Sequence, residues 1–274
     1  MEKNYFLEYV KDGDNGKKAR EFYKMYFPCF DEKWNGDTWF TPIALLEGLQ
    51  DKNGYINCIY NSDWKWSSPK DAKLELISKV SALLCSGKNI GKNHSCLANF
   101  GFLPLGLNPW RGGFDCEGHV NNRLRLGDFP DLFFECVKCF LENTVPSGNG
   151  HGYSIIEKTK LNEYKWWFLK IGCEEVDMGK WADSAWRNFV NQMLLKGSFI
   201  DDNYRVVKLF DQDIGNPFPI LHNIDVKQKY STETLVKRLA ADPAVSACIK
   251  KIYSVFNNRA ESLAKIKLLS PSRL

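Results

Sequence analysis

DPAVSACIKKIYSVFNNRAESLAKIKL, residues 242–268, is the longest helical pattern in the chain. Aspartate and then proline at its start are typical of a helix N-terminus, since the aspartate caps free N–H groups and the proline has none. Apolar side chains then recur every three or four residues and form one face: Val245, Cys248, Ile249, Ile252, Phe256 and Leu263. A long helix with one apolar face needs a core to pack against.

Shorter segments upstream repeat this pattern. Helices are predicted over about 17–26, 42–50, 69–86, 130–142, 161–171, 181–196 and 231–241. The stripe of the 130–142 helix consists of Leu132, Phe133, Cys136, Val137, Phe140 and Leu141. Residues 5–10, 55–60 and 204–210 are predicted to be extended or strands.

Helices and strands do not alternate strictly along the chain, which argues against a doubly wound parallel sheet. We therefore expect an α+β fold, predominantly helical, with about seven helices and a small sheet. A chain of 274 residues with 44% hydrophobic residues can bury a large core, which excludes whole-chain disorder. We expect a single compact domain over 1–274, with a possible weak boundary near 146–152.

The nine cysteines are odd in number and irregularly spaced, and several lie inside apolar runs. No signal peptide or membrane-spanning stretch is recognisable. The sequence therefore predicts a cytoplasmic protein with reduced thiols and no membrane association. Cys116-x2-His119 and Cys136-x2-Cys139 match a zinc spacing, but Cys136 falls in the apolar stripe of a helix, so we expect neither a metal nor a cofactor.

The net charge of +4 is unevenly distributed. Residues 227–274 carry ten Lys/Arg against three Asp/Glu, so the preceding 226 residues are net negative. Such a basic segment can attract phosphates or an acidic partner, although a solvated helix face is the more common explanation.

The segment from Asn108 to Asp128 is the strongest candidate site. It is rich in arginine, asparagine and acidic side chains, and its glycines allow a ligand close to the backbone. Arginine binds phosphate or carboxylate in a two-pronged fashion. The predicted ligand-binding residues are Asn108, Arg111, Gly112, Asn122, Arg123 and Arg125. The predicted catalytic acids or bases are Asp115, Glu117 and His119. A surface loop whose arginines pair with neighbouring acids is the alternative.

Familiar catalytic signatures are missing from the sequence, including the phosphate-binding P-loop, the Rossmann fingerprint and the nucleophile elbow. His94, Asn99 and Asn108 loosely resemble the second half of an HNH-type nuclease motif. The first half, which contains the upstream histidine, has no counterpart here, so whether the chain is an enzyme stays open.

Residues 95–268 resemble an uncharacterised bacterial family, a domain of unknown function. The shared features are the segment from Phe100 to Pro104, the unit of Asn108, Arg111 and Gly112, the helix with Asp131, Leu132, Glu135 and Cys136, the stretch from Asn188 to Phe210, and the pair Asn258-Arg259. The resemblance implies no activity, but it singles out Asn108, Arg111 and Gly112 as a unit.

Two functions are therefore predicted as alternatives. The first is binding or processing of a phosphate-bearing ligand, a nucleotide or nucleic acid, in a bacterial or phage protein. The second is a non-catalytic protein that binds or inhibits a protein partner in the conflict between bacterium and phage, for which exposed Trp110 and Arg111 would suit an interface.

Overall fold

The computed structural model describes residues 1–13, 16–27, 29–31, 34–40, 69–87, 94–108, 130–144, 155–209 and 232–266. In these ranges lie nine α-helices and two small antiparallel sheets, so the fold is α+β and predominantly helical, as predicted. The helices are α1 (Lys3–Leu7), α2 (Lys17–Tyr26), α3 (Pro69–Leu84), α4 (Pro130–Leu141), α5 (Ile155–Glu163), α6 (Lys165–Lys170), α7 (Ala185–Gln192), α8 (Thr232–Ala241) and α9 (Pro243–Lys265). The strands are β1 (Trp34–Thr38), β2 (Phe100–Pro104), β3 (Glu175–Asp177) and β4 (Lys180–Trp181).

The β1–β2 pair joins two segments that are far apart in the sequence. Trp34 pairs with Pro104 and Thr38 with Phe100, and β2 is buried along its whole length. The Phe102 ring stacks on the Trp34 ring, with centroids 4.7 Å apart. Gly36 lies opposite Phe102, where an added Cβ would come within 2.1 Å of the Gly13 carbonyl oxygen. A side chain at position 36 would therefore push β1 away from the turn at Gly13.

The helices with the clearest sequence pattern are confirmed: α2, α3, α4, α8 and α9. In α4 the side chains of Phe133, Cys136, Val137 and Phe140 are buried. The predicted helix over 42–50 and the predicted strand over 55–60 lie outside the described residues, as does the possible boundary near 146–152.

Four predictions of secondary structure are wrong in whole or in part. Residues 5–7 of the segment predicted to be extended belong to helix α1, because the buried Phe6 packs against the Phe22 and Tyr26 rings of α2 and α1 lies against α9. The rest of that segment is extended, and Tyr9 forms a β-bridge with Cys96. The segment 161–171 belongs to two helices, α5 and α6, separated at Tyr164. Residues 180–181 form β4 before the shorter helix α7 begins.

In the described part of the predicted strand, residues 204–209, Tyr204 lies in a bend and Val206 alone forms an isolated β-bridge, with Ile200. Tyr204 has φ +61°, which is incompatible with a strand. One oxygen of the Asp201 carboxylate accepts the backbone N–H groups of Asn203 and Arg205, both at 2.8 Å. An aspartate that binds nearby backbone N–H groups favours a turn over an extended chain.

One buried cluster of apolar side chains includes members of all nine helices. Among the described residues, Arg259 of α9 is the one charged residue with no exposed surface, and it lies within this cluster. Its Cζ is 4.2 Å from the centre of the Trp39 ring and 5.7 Å from that of Phe199. The guanidinium donates to four backbone carbonyls: Leu194 (3.2 Å), Ala98 (3.0 Å), Phe100 (2.6 Å) and Met193 (3.4 Å).

The surroundings of Arg259 explain how a charge is tolerated there. Met193 and Leu194 directly follow α7, and carbonyls at a helix C-terminus carry a partial negative charge that favours a cation. Among the described residues, no carboxylate forms an ion pair with Arg259. Burial lowers the pKa of Arg259 to about 9, so it remains protonated at neutral pH. Arg259 therefore joins α9 to the C-terminal end of α7 and to β2 through hydrogen bonds inside the core. The expectation of a solvated helix face is wrong at this position.

In the parts of the chain that the structure describes, no helix is long and apolar enough to cross a membrane.

Candidate functional site

Only one of the predicted site residues falls in the described ranges. Asn108 is half-buried and directly follows the fully buried Leu107 at the end of the β2 segment. The other eight lie outside the described residues: Arg111, Gly112, Asp115, Glu117, His119, Asn122, Arg123 and Arg125. Their convergence on one ligand therefore stays a prediction.

The two anchors of the predicted site segment are nevertheless clear. In the sequence it begins at Asn108 and is followed by Pro130, the buried first residue of α4. Asp131, the second residue of α4, is only 7% exposed, and its Oδ2 accepts the backbone N–H of Leu209 at 2.8 Å. The carboxylate is thus turned toward the 200–209 segment and away from solvent at the start of α4.

Of the three residues that resemble an HNH motif, Asn99 has a structural role. The buried Asn99 side chain donates to the carbonyls of Phe40 and His94 and accepts the N–H of Phe40. It thereby holds the chain that follows β1 against the start of β2. The His94 Nε2 lies 3.2 Å from the Ser95 hydroxyl. Because its amide is fully engaged with backbone groups, Asn99 is not free to bind a ligand.

The cysteines in the described ranges are free thiols. Cys136 is buried in the core, as the helical stripe predicted, and Cys139 is half-buried. Cys116 and His119, the other half of the zinc spacing, lie outside the described residues. Within those residues no three His, Cys, Asp or Glu side chains are grouped to hold a metal ion.

The buried thiols should make stability depend on alkaline pH. Burial raises the pKa of Cys96 and of Cys173 to about 12, and that of Cys248 well above its usual value. An unfolded thiol ionises near pH 8.5, so the folded state keeps protons that the unfolded state loses. Their contribution to stability is complete below about pH 8.5 and is lost as the pH rises toward 12. The lowered pKa of Arg259 acts in the opposite direction above pH 9.

Urea denaturation of wild type and Cys173→Ala at pH 7, 9 and 10.5 measures this effect. As the pH rises, the free energy of unfolding of the variant should fall less steeply than that of wild type. The slopes should differ by about 1.4 kcal/mol per pH unit, which is the contribution of one proton. Ser198→Ala is the control, because Ser198 is buried and hydrogen-bonded but its hydroxyl does not titrate in this range. Equal pH slopes for wild type and Cys173→Ala would show that the Cys173 thiol is not shielded from solvent.

A cluster of polar side chains around Tyr204 was missed by the sequence analysis. The Nζ of Lys196 lies 4.6 Å from the centre of the Tyr204 ring, and the Cζ of Arg187 lies 5.3 Å from it. The Tyr204 hydroxyl lies 3.4 Å from Oδ1 of Asn191. We call Arg187, Asn191, Lys196 and Tyr204 the Tyr204 cluster. Arg187, Asn191 and Lys196 are exposed, and Tyr204 is partly exposed.

Several contacts fix the position of Tyr204. Its N–H donates to the Asp201 carbonyl at 3.0 Å, and its own carbonyl accepts Nε1 of the buried Trp186 at 2.8 Å. The hydrogen bond with Asn191, and after it the nearby Lys196 and Arg187, hold the pKa of Tyr204 below its ordinary value. Asp201, Asp202 and Asn203 are typical turn residues, so the turn was predictable. The convergence of α7 on this turn was not.

Comparisons of the chain with protein-family models, with curated proteins and with solved structures give no match. The resemblance to an uncharacterised bacterial family therefore stays a prediction. The functional argument rests on the residues of this chain.

Proposed function

We propose that the chain binds a phosphate-bearing ligand, a nucleotide or a nucleic acid, through the segment from Asn108 to Arg125. Arg111, Arg123 and Arg125 supply the positive charge, and the glycines bring backbone N–H groups close to the ligand. If the ligand is also processed, His119 is the side chain best suited to proton transfer near neutral pH, with Asp115 or Glu117 as alternatives.

The observation that best supports this proposal is the position of Asp131. An exposed carboxylate at the start of α4 would repel an anionic ligand from the positive end of the helix dipole. Asp131 is instead buried and accepts the Leu209 N–H. The arginine-rich segment thus leads into a helix N-terminus whose nearest described carboxylate is turned into the core.

Substitution of Arg111 tests the proposal. We expect Arg111→Lys to weaken ligand binding nearly as much as Arg111→Ala, because lysine cannot form the two-pronged contact. Both variants should change the free energy of unfolding by less than about 0.5 kcal/mol, as exposed substitutions do. Binding is measured by fluorescence anisotropy of a labelled 20-nucleotide strand and by calorimetry with ATP, and stability by thermal melts.

Two results would contradict this assignment of Arg111. If the free energy of unfolding falls by about 3 kcal/mol or more in both variants, Arg111 is a buried structural arginine paired with a neighbouring acid. Unchanged melting together with unchanged binding would remove Arg111 from the site. Arg205→Lys is the matched control, since Arg205 is exposed and lies outside the segment.

A second candidate function is binding to a protein partner, which an exposed apolar hairpin favours. Met178 is fully exposed and Val176 is 59% exposed, both near the turn between β3 and β4. Gly179 has φ +84°, a conformation that favours glycine, and its N–H is hydrogen-bonded to the Glu175 carboxylate, so the turn holds Met178 in a fixed position. Exposed Met at a fixed position is typical of a contact in a protein interface. Failure of the wild-type chain to bind either the 20-nucleotide strand or ATP would favour this second function.

A further inference from the structure

We propose that the Tyr204 cluster binds a backbone phosphate of a nucleic acid. This inference rests on the proposed function for the ligand chemistry, and it narrows the ligand from any phosphate-bearing molecule to a polynucleotide. It assigns binding to two cations that the sequence pattern does not group, Arg187 and Lys196, which both contact the Tyr204 ring.

The first argument is that both cations are available. Arg187 and Lys196 are exposed, and among the described residues neither forms an ion pair. Other lysines in those ranges are engaged with carboxylates, as Lys165 is with Glu175 and Lys170 with Asp31. Both cations contact the Tyr204 ring and lack a carboxylate partner, so each of them can bind an oxyanion.

The second argument is that the cluster is held in place before a ligand arrives. Arg187 and Asn191 lie one turn apart on α7, and Lys196 lies four residues after the helix ends. Tyr204 has a backbone conformation that few residues other than glycine adopt, and the Trp186 indole fixes its carbonyl. A fixed arrangement of donors loses less entropy on binding than flexible surface side chains do.

The neighbouring acids limit how much negative charge this surface can take. Asp201 uses one carboxylate oxygen on two backbone N–H groups, and Asp183 and Asp202 are exposed nearby. The surface is therefore not a broad basic tract. It suits one phosphate held by converging donors rather than a row of phosphates.

The third argument is the path from the cluster to the predicted loop. Tyr204 and Leu209 are five positions apart, so the chain between them spans at most about 18 Å. The Leu209 N–H is hydrogen-bonded to the Asp131 carboxylate, and Arg125 lies six positions before Asp131 in the sequence. A polynucleotide is long enough to contact the segment and the cluster together.

The test is fluorescence anisotropy with three labelled probes: a 20-nucleotide DNA strand, an RNA of the same sequence, and the corresponding DNA duplex. The test variant is Arg187→Gln with Lys196→Gln. The control variant is Arg205→Gln with Lys250→Gln, which removes the same charge from exposed positions outside the cluster. All four side chains are exposed, so thermal melts should match wild type.

We expect the test variant to bind the preferred probe at least about tenfold more weakly at 50 mM salt, and the control variant less than about threefold. The slope of log affinity against log salt should become shallower by about 0.7–0.9 in the test variant, as expected when one phosphate contact is lost. The preferred probe then distinguishes single-stranded DNA, RNA and duplex as the source of the phosphate.

Equal losses in the test and control variants would overturn the inference, because net charge alone would then explain binding. Competition by ATP or inorganic phosphate as effective as that by the unlabelled 20-nucleotide strand would overturn the assignment to a polynucleotide. If Arg111→Ala binds the probe as tightly as wild type while the test variant binds it more weakly, the proposed role of the 108–125 segment is refuted and this inference stands. A wild-type chain that binds none of the probes would refute both.

Discussion

Arg259→Met is expected to lower the free energy of unfolding by about 3–5 kcal/mol, the range seen when one partner of a buried charged group is removed. Methionine fills much of the same volume but donates no hydrogen bond. The carbonyls of Ala98, Phe100, Met193 and Leu194 would then lose their shared donor inside the core. A buried acceptor left without a partner is costly, which is why the expected loss exceeds that of an ordinary core substitution.

Arg259→Lys separates the charge of the side chain from its shape. An ammonium retains the positive charge, but it lacks the planar guanidinium that lies over the Trp39 ring and directs its N–H donors outward in several in-plane directions. We therefore expect the lysine variant to lose most of the stability that the methionine variant loses. Urea denaturation measures both, with the exposed Arg205→Met as the control. A lysine variant as stable as wild type would show that charge alone matters at this position.

Regular helices were predictable because their pattern is local. In α4 and α9 the apolar spacing continues over twelve or more residues, so one face is unambiguous. The same spacing contained a clue to the role of Arg259, which lies three residues after Phe256 and four before Leu263, on the apolar face. A charged residue at such a position has to be paired or hydrogen-bonded in the core.

The β1–β2 pair was not predictable from local pattern. β1 reads Trp-Asn-Gly-Asp-Thr, a composition that disfavours strands, and its partner lies more than sixty residues away. β2 is buried on both faces and so shows no alternation. These strands exist because the Trp34 and Phe102 rings stack and because Asn99 binds the backbone of Phe40, which are contacts of the folded chain.

The candidate site was predictable only as chemistry. Residue types in the 108–125 segment indicate phosphate binding, but no periodic pattern fixes the geometry of an irregular segment. The Tyr204 cluster shows the converse: its members are spread from Arg187 to Tyr204, and a turn closed by Asp201 brings them together. Spacing in the sequence gave no reason to group them.

Gly101→Ala is expected to destabilise the fold by about 3 kcal/mol, at the upper end of the range for overpacked cores. A Cβ at Gly101 would lie 1.7 Å from Cζ2 of the Trp39 ring, so the ring would have to move. That ring is fully buried and packs against Phe134, Phe199 and Arg259. Moving the Trp39 ring would disturb the hydrogen bonds of Arg259 as well as the β1–β2 pair.

Gly87→Ala is the control, because a Cβ there meets nothing within 4 Å, although its φ of +79° adds strain of about 1 kcal/mol. A second variant tests the mechanism directly: Trp39→Phe removes the ring atoms that would clash. Gly101→Ala should therefore lower the free energy of unfolding less in the Trp39→Phe background than in wild type, by about 1 kcal/mol or more. The reason is that substitutions of residues in contact are not additive. Additive losses in the double variant would show that Gly101 is required by the β2 backbone and not by the close approach of Trp39.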